Sequence, residues 1–94
     1  SQRTAVKYVQ ISIDHGLLIE ETDPGDLRAR HRLGVRQIAE GQPEAGLEQF
    51  IEMLQRDRDF DDGLPRKALI DAFRIIDDPA LVSRYRRRMS SLLF

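Results

Sequence analysis

LRARHRLGVRQIAEGQPEAGLEQFIEMLQRDRDF, residues 27–60, is the stretch on which the reading of the chain turns. In its first half Leu27, His31, Gly34, Val35 and Ile38 recur at steps of three and four. In its second half Gly46, Leu47, Phe50, Ile51 and Leu54 do the same, which is the period of a helix with one apolar face. Gly41-Gln42-Pro43 separates them: the glycine suits a left-handed stop and the proline the first position of a new helix. The stretch therefore predicts a helical hairpin. Gly34 and Gly46 lack side chains, so two helix backbones can approach closely there, with Phe50 filling the space beside them.

Small residues at these positions are the mark of a 34-residue helical hairpin repeat. The stretch resembles one tetratricopeptide repeat, with Leu33-Gly34 as its Leu-Gly pair, Gly41 as the turn glycine, Gly46 as the small residue of the second helix and Phe50 as its aromatic. It departs from that pattern at Arg30, Gln37 and Arg58, where the repeat carries Trp, Tyr and Pro.

Residues 1–22 carry two periods at once. Val9, Ile11 and Ile13 alternate with polar residues as in a strand, and Asp14-His15-Gly16 could close a β-hairpin onto Leu17-Leu18-Ile19. Val6, Val9, Ile13 and Leu17 equally make a helical stripe. Stepping back one repeat from the central hairpin puts Ser12 at the small-residue position and Pro24 at the closing proline, which favours a helix, half of a preceding repeat. Downstream, Asp23-Pro24 and Asp26 signal a helix start, with Asp23 as the cap. Asp57–Gly63 reads as an acidic linker, with Asp61 or Asp62 capping a fourth helix that has Pro65 in its first turn and Leu69, Ala72, Phe73 and Ile76 as its stripe. Asp77-Asp78-Pro79 repeats the device before a fifth helix built on Val82, Tyr85, Met89 and Leu92, supported by Leu81 and Leu93. The expected fold is all-α: about five antiparallel helices in one domain over residues 1–94, a half repeat (1–22), a central repeat (23–60) and a C-terminal helical pair (61–94).

Ninety-four residues suffice for one core, and 40% apolar residues recurring at helical spacing argue against disorder. A formal net charge of −1 gives no global field toward nucleic acid or a membrane surface. The absence of cysteine removes disulfides, thiolate metal sites and cysteine catalysis. No apolar run is long enough for a transmembrane helix, so a cytoplasmic protein is expected. The chain opens at Ser1 in mid-pattern and reads as a piece of a longer protein.

No set of residues assembles a reaction centre. His15 and His31 lack a second ligand one helical turn away, Asp57, Asp59 and Asp61 lack the glycine and glutamate that complete a calcium loop, and no serine has a His-Asp partnership. No catalytic residue, metal or cofactor is expected. The densest charge is Arg84-Tyr85-Arg86-Arg87-Arg88. Its arginines could complement a helix C-terminus, framing an apolar stripe, or attract an acidic protein; nucleic acid is disfavoured because only Tyr85 is at hand for stacking. Leu92-Leu93-Phe94 either folds back onto the preceding helix or is offered to a partner.

From Asp23 onward the chain resembles the C-terminal tetratricopeptide-like region of YbbN-type (CnoX-type) thioredoxin-fold co-chaperones. The resemblance is carried by RDRDFDDGLPRKALID, by the Asp77-Asp78-Pro79 break, and by the ending SRYRRRMSSLLF, whose Tyr85-Arg86-Arg87 and Leu92-Leu93-Phe94 match that family's Tyr-Arg-Arg and Leu-Leu-aromatic terminus. It implies a non-enzymatic module attached to an upstream thioredoxin domain, binding non-native client proteins and handing them to chaperones such as the chaperonin. Partner-binding residues would then be Arg84, Arg86, Arg87, Arg88, Leu92, Leu93 and Phe94. The alternative is a structural module that assembles its parent through an uncovered half repeat at Val9, Ile13 and Leu17.

Overall fold

Capping and turn chemistry divide residues 25–94, the part described by a computed structural model, into four helices. These are α1 (Leu27–Ala39), α2 (Pro43–Arg56), α3 (Phe60–Ile75) and α4 (Pro79–Leu93). The described residues are all-α, and three-residue connections leave each helix to pack on the one before it. The helix expected within residues 1–22, its hairpin alternative and the self-association surface placed there lie outside the described residues, as do Asp23 and Pro24. The cap expected at Asp23 falls to Asp26, whose carboxylate accepts the Ala29 N–H at 3.0 Å.

Gly41 ends α1 at φ +84°, with Gln42 N–H donating to the Gln37 carbonyl at 2.8 Å and Gly41 N–H to that of Ile38 at 3.2 Å. This pair of bonds reverses the chain and satisfies carbonyls that the helix end would leave open. At the next junction the expected cap gives way to a left-handed turn. Asp61, Asp62 and Gly63 all take positive φ, and the right-handed helix resumes at Leu64 with Pro65 in its first turn. Neither aspartate caps that helix. Asp61 pairs with Arg28 at 3.2 Å and Asp62 with Lys67 at 3.6 Å. Aspartate tolerates the left-handed region better than most residues, and Gly63 does so without a steric penalty.

α2 is the central element and touches each of the other three helices, whereas α1 and α4 do not touch. Leu47, Phe50, Ile51, Met53 and Leu54 are buried on it, against Leu69, Ala72 and Phe73 of α3 and Leu81 and Tyr85 of α4. Met53 lies off the stripe read from the sequence, because a helix packed on more than one side buries a wider arc than a single seam. On α1 the buried residues are Leu27, Ala29, Arg30, Leu33 and Gly34. Val35, expected in the core, is 49% exposed.

The α1–α2 contact is backbone on backbone. A Cβ placed on Gly46 would come within 2.6 Å of the Gly34 carbonyl oxygen and 2.5 Å of Ile38 Cγ1. One placed on Gly34 would meet the Phe50 ring edge at 2.6 Å and the Gly46 carbonyl at 3.1 Å. Alanine gains about 1 kcal/mol in helix propensity at either site, but overpacking a tight contact costs roughly 1–3 kcal/mol. The obstacle at Gly46 is main chain that cannot step aside. Gly46→Ala is therefore expected to destabilise the chain by about 1–2 kcal/mol, and more than Gly34→Ala, in urea melts of the two variants; equal or higher midpoints than wild type would contradict this packing.

Candidate functional site

The residues expected to meet a partner fall in three places. Arg84 and Arg88 form a seam between α4 and α2. Both lie in the middle of α4 and not in its last turn, so complementing the helix C-terminus does not account for them. Arg84 reaches Glu44 at 3.0 Å, and Arg88 pairs with Glu48. Two acids one turn apart thus meet two arginines one turn apart in the same chain direction, so α2 and α4 run parallel where they meet. Between the rungs, the buried Tyr85 ring lies 5.4 and 5.0 Å from the Arg84 and Arg88 guanidiniums, and its hydroxyl donates to Glu48. Glu44 and Glu48 were not singled out in the sequence, though their four-residue spacing mirrors that of the arginines.

Arg86 and Arg87 point elsewhere. The Arg86 guanidinium sits 5.1 Å from the Phe73 ring, and Arg87 donates to Ser83 Oγ at 2.9 Å; both side chains are exposed. The C-terminal residues divide. Leu92 and Leu93 are half-buried against the core, while Phe94 is fully exposed. Arg58 donates to the Leu93 carbonyl at 3.5 Å, and the shallow hollow beneath Leu93 and Phe94 is rimmed by Arg58, Arg66 and Lys67 and by Asp59 and Asp62.

A further surface escaped the sequence reading. Between α1 and α3 runs an apolar groove of about 350 Å³, floored by Phe50, Ala68 and Ala72 and walled by His31, Val35, Ile38 and Ile75. Among the described residues, Val35 and the 71% exposed Ile75 are the two large aliphatic side chains left most open, and both are here. His31 lies half-buried with its ring centroid 5.6 Å from that of Phe50. Burial, then the Arg28 charge, pushes its pKa down against the opposing pull of Asp61. Among the described residues, no group of His, Asp and Glu side chains could hold a metal ion.

The seam has a pH signature. Burial pushes the Glu48 carboxyl up, but hydrogen bonds from Tyr85 and Arg88, and the charges of Arg88 and Arg84, outweigh it and hold the group below its ordinary value. A lowered folded-state pKa contributes stability that is present above the ordinary carboxylate value and is lost as pH falls through the lowered one. Because Glu48 is about half exposed, solvent screening reduces this to roughly 0.5–1 kcal/mol. Glu48→Gln is expected to melt lower than wild type at neutral pH, with the gap closing on acidification below the carboxylate range; a gap that stays constant in melts across that range would contradict the seam.

Comparison with known proteins gives one result. A family model described as a tetratricopeptide repeat matches residues 20–94. No curated protein and no solved structure matches the chain. Tetratricopeptide repeats generally mediate protein–protein interaction, and no helix among the described residues is long and apolar enough to cross a membrane. The paired hairpins, the backbone contact at Gly34 and Gly46, and a model match over most of the length lead to one conclusion: the chain belongs to the tetratricopeptide repeat family.

Proposed function

We propose that this chain is the interaction module of a thioredoxin-related co-chaperone, a single domain following a thioredoxin-type domain in a longer cytoplasmic protein. It binds non-native clients and docks on chaperone machinery such as the chaperonin. The observation that carries the docking reading is Phe94. A fully exposed aromatic at the end of a helix gains nothing for the fold, and it stands over a charged hollow of Arg58, Arg66 and Lys67 with Asp59 and Asp62. Aromatic side chains that fill a partner's pocket are common anchors at protein interfaces. Leu92 and Leu93 contribute differently. Half-buried on the core, they hold the last turn of α4 in place so that Phe94 projects from a fixed point.

In this reading Arg86 and Arg87, exposed on α4, add attraction for acidic surfaces, and Arg84 and Arg88 do so while remaining paired to Glu44 and Glu48. The resemblance of the SRYRRRMSSLLF ending to that of YbbN-type proteins supports the same assignment.

The test separates docking from folding. Phe94→Asp removes the aromatic at a position with no burial to lose, so the melting temperature should stay within about 0.5 kcal/mol equivalent of wild type. Co-sedimentation of the 94-residue chain with a purified chaperonin should then fall at least about tenfold, the scale of losing one anchor side chain. Unchanged co-sedimentation, or none with wild type, would sink the docking role. A parent gene with no thioredoxin-type domain upstream of Ser1 would sink the domain assignment.

A further inference from the structure

Beside the last turns of α4 lies a hollow of about 330 Å³, lined by Gln55 of α2 and by Arg84, Arg87, Arg88, Ser91 and Leu92. Its polar lining is three guanidiniums, an amide and a hydroxyl, with no carboxylate among them. Glu44 and Glu48 hold two of the guanidiniums from α2, each through one nitrogen: Nη2 of Arg84 at 3.0 Å, and Nη1 of Arg88. A guanidinium has five N–H donors, so both pairs leave donors over. Arg87 is different. Among the described residues it has no carboxylate partner, and its Nη1 donates to the neutral Ser83 Oγ at 2.9 Å. Three arginines against two glutamates leave one positive charge, and it sits on Arg87.

Ser91 stands at that excess. Residues three and four apart on a helix are neighbours, and every Cα–Cβ bond leans toward the N-terminus. The Ser91 side chain therefore leans over the turn that carries Arg87 and Arg88, with Arg84 one turn further back and all four on the lining of one hollow. The other serines of α4 are placed differently. Neither Ser83 nor Ser90 lines the hollow, and Arg86, one turn before Ser90, is laid 5.1 Å from the Phe73 ring. Ser91 is exposed and lies in the last turn of α4, where helix ends fray and a short segment can enter an enzyme's cleft.

We propose that Ser91 is a phosphorylation site and that the hollow seats its phosphate, held by Arg87 and by the donors that Arg88 does not give to Glu48. A protein kinase would supply the group from ATP. The bond from Ser91 Oγ to the γ-phosphorus forms, the bond from that phosphorus to the bridging oxygen breaks, the hydroxyl proton is released and ADP leaves. A serine phosphate carries about −1.5 to −2 charges at pH 7, which in the last turn of a helix opposes the macrodipole. Charge-assisted bonds to guanidiniums are roughly twice as strong as neutral ones, and here they outweigh that opposition. The modified hollow turns from net positive to net negative, so one hydroxyl sets the charge of this face. The inference needs neither Phe94 nor a client, and it stands apart from the reading above.

Two experiments on the full 94-residue chain test it. In the first, phosphoserine is placed at position 91 by semisynthesis and titrated by phosphorus NMR. Its second proton, which ordinarily leaves near pH 6, should leave at least about half a pH unit lower in the folded chain than in urea. A lowered folded-state value stabilises above the ordinary one and stops doing so as pH falls through the lowered one. The modified chain should therefore gain in melting temperature over the unmodified chain between pH 5 and pH 8. Arg87→Gln, an exposed position outside the seam, should fold as wild type and remove most of both effects. In the second, the unmodified chain is incubated with ATP and a serine kinase that requires an arginine three residues before its target, the place of Arg88; peptide mapping should find phosphate on Ser91. A second proton lost at the same pH folded and in urea, a lowering that survives Arg87→Gln, or phosphate only on Ser83 or Ser90 or on no serine would each overturn the proposal.

Discussion

The absence of two side chains governs this structure. At Gly34 and Gly46 the backbones of α1 and α2 come so close that either Cβ would strike the other helix or the residues packed beside it. The distance and crossing of the first hairpin are therefore set by main chain, which is stiff, and not by side chains, which adapt. Everything on α1 inherits that placement. Phe50 is trapped at the junction, and His31, Val35 and Ile38 are carried to the edge of α3, where they and Ile75 wall a groove. A larger residue at either glycine would do more than loosen a contact. It would lift one wall of the groove away from its floor.

The second hairpin is placed by the opposite device. Where α1 meets α2 through missing atoms, α4 meets α2 through long charged side chains arranged as two rungs, Glu44 to Arg84 and Glu48 to Arg88, with the Tyr85 ring between them. Each rung is partly exposed and individually weak. The two rungs join residues taken in the same order along α2 and α4, so the helices run parallel where they meet. The buried Tyr85 then adds apolar area, and its hydroxyl has a partner in Glu48. Polar pairs are here laid over an apolar core, and the core itself is concentrated on α2.

How far this was legible depends on what each feature requires of the sequence. The all-α class and the hairpin at Gly41 are local matters of period and turn chemistry, and they can be read one segment at a time. Val35 keeps the period of α1, which predicts a core position; it is exposed because the face it occupies looks across to Ala68 and Ile75, residues more than thirty positions away. Met53 went the other way for a related reason, since α2 is enclosed on more than one side and its apolar arc is wider than one stripe. At Asp61-Asp62-Gly63 the composition of a cap and the composition of a left-handed turn coincide, and Pro65 fits either. The arginine cluster was visible, but its acidic partners on α2 lie about forty residues upstream, and only the stacking of one hairpin on the other brings them together.

The same separation clarifies what the surface offers. Charge density along the chain points to Arg84–Arg88 as the principal interaction site, yet two of its arginines are occupied in the α2–α4 seam, and a third, Arg86, lies against Phe73. The groove between α1 and α3 takes no part in that pairing, and its walls Val35 and Ile75 are the most exposed large aliphatic residues among the described ones. Their exposure contributes nothing to the hairpin contacts, and exposed apolar surface is the part of this face that water disfavours.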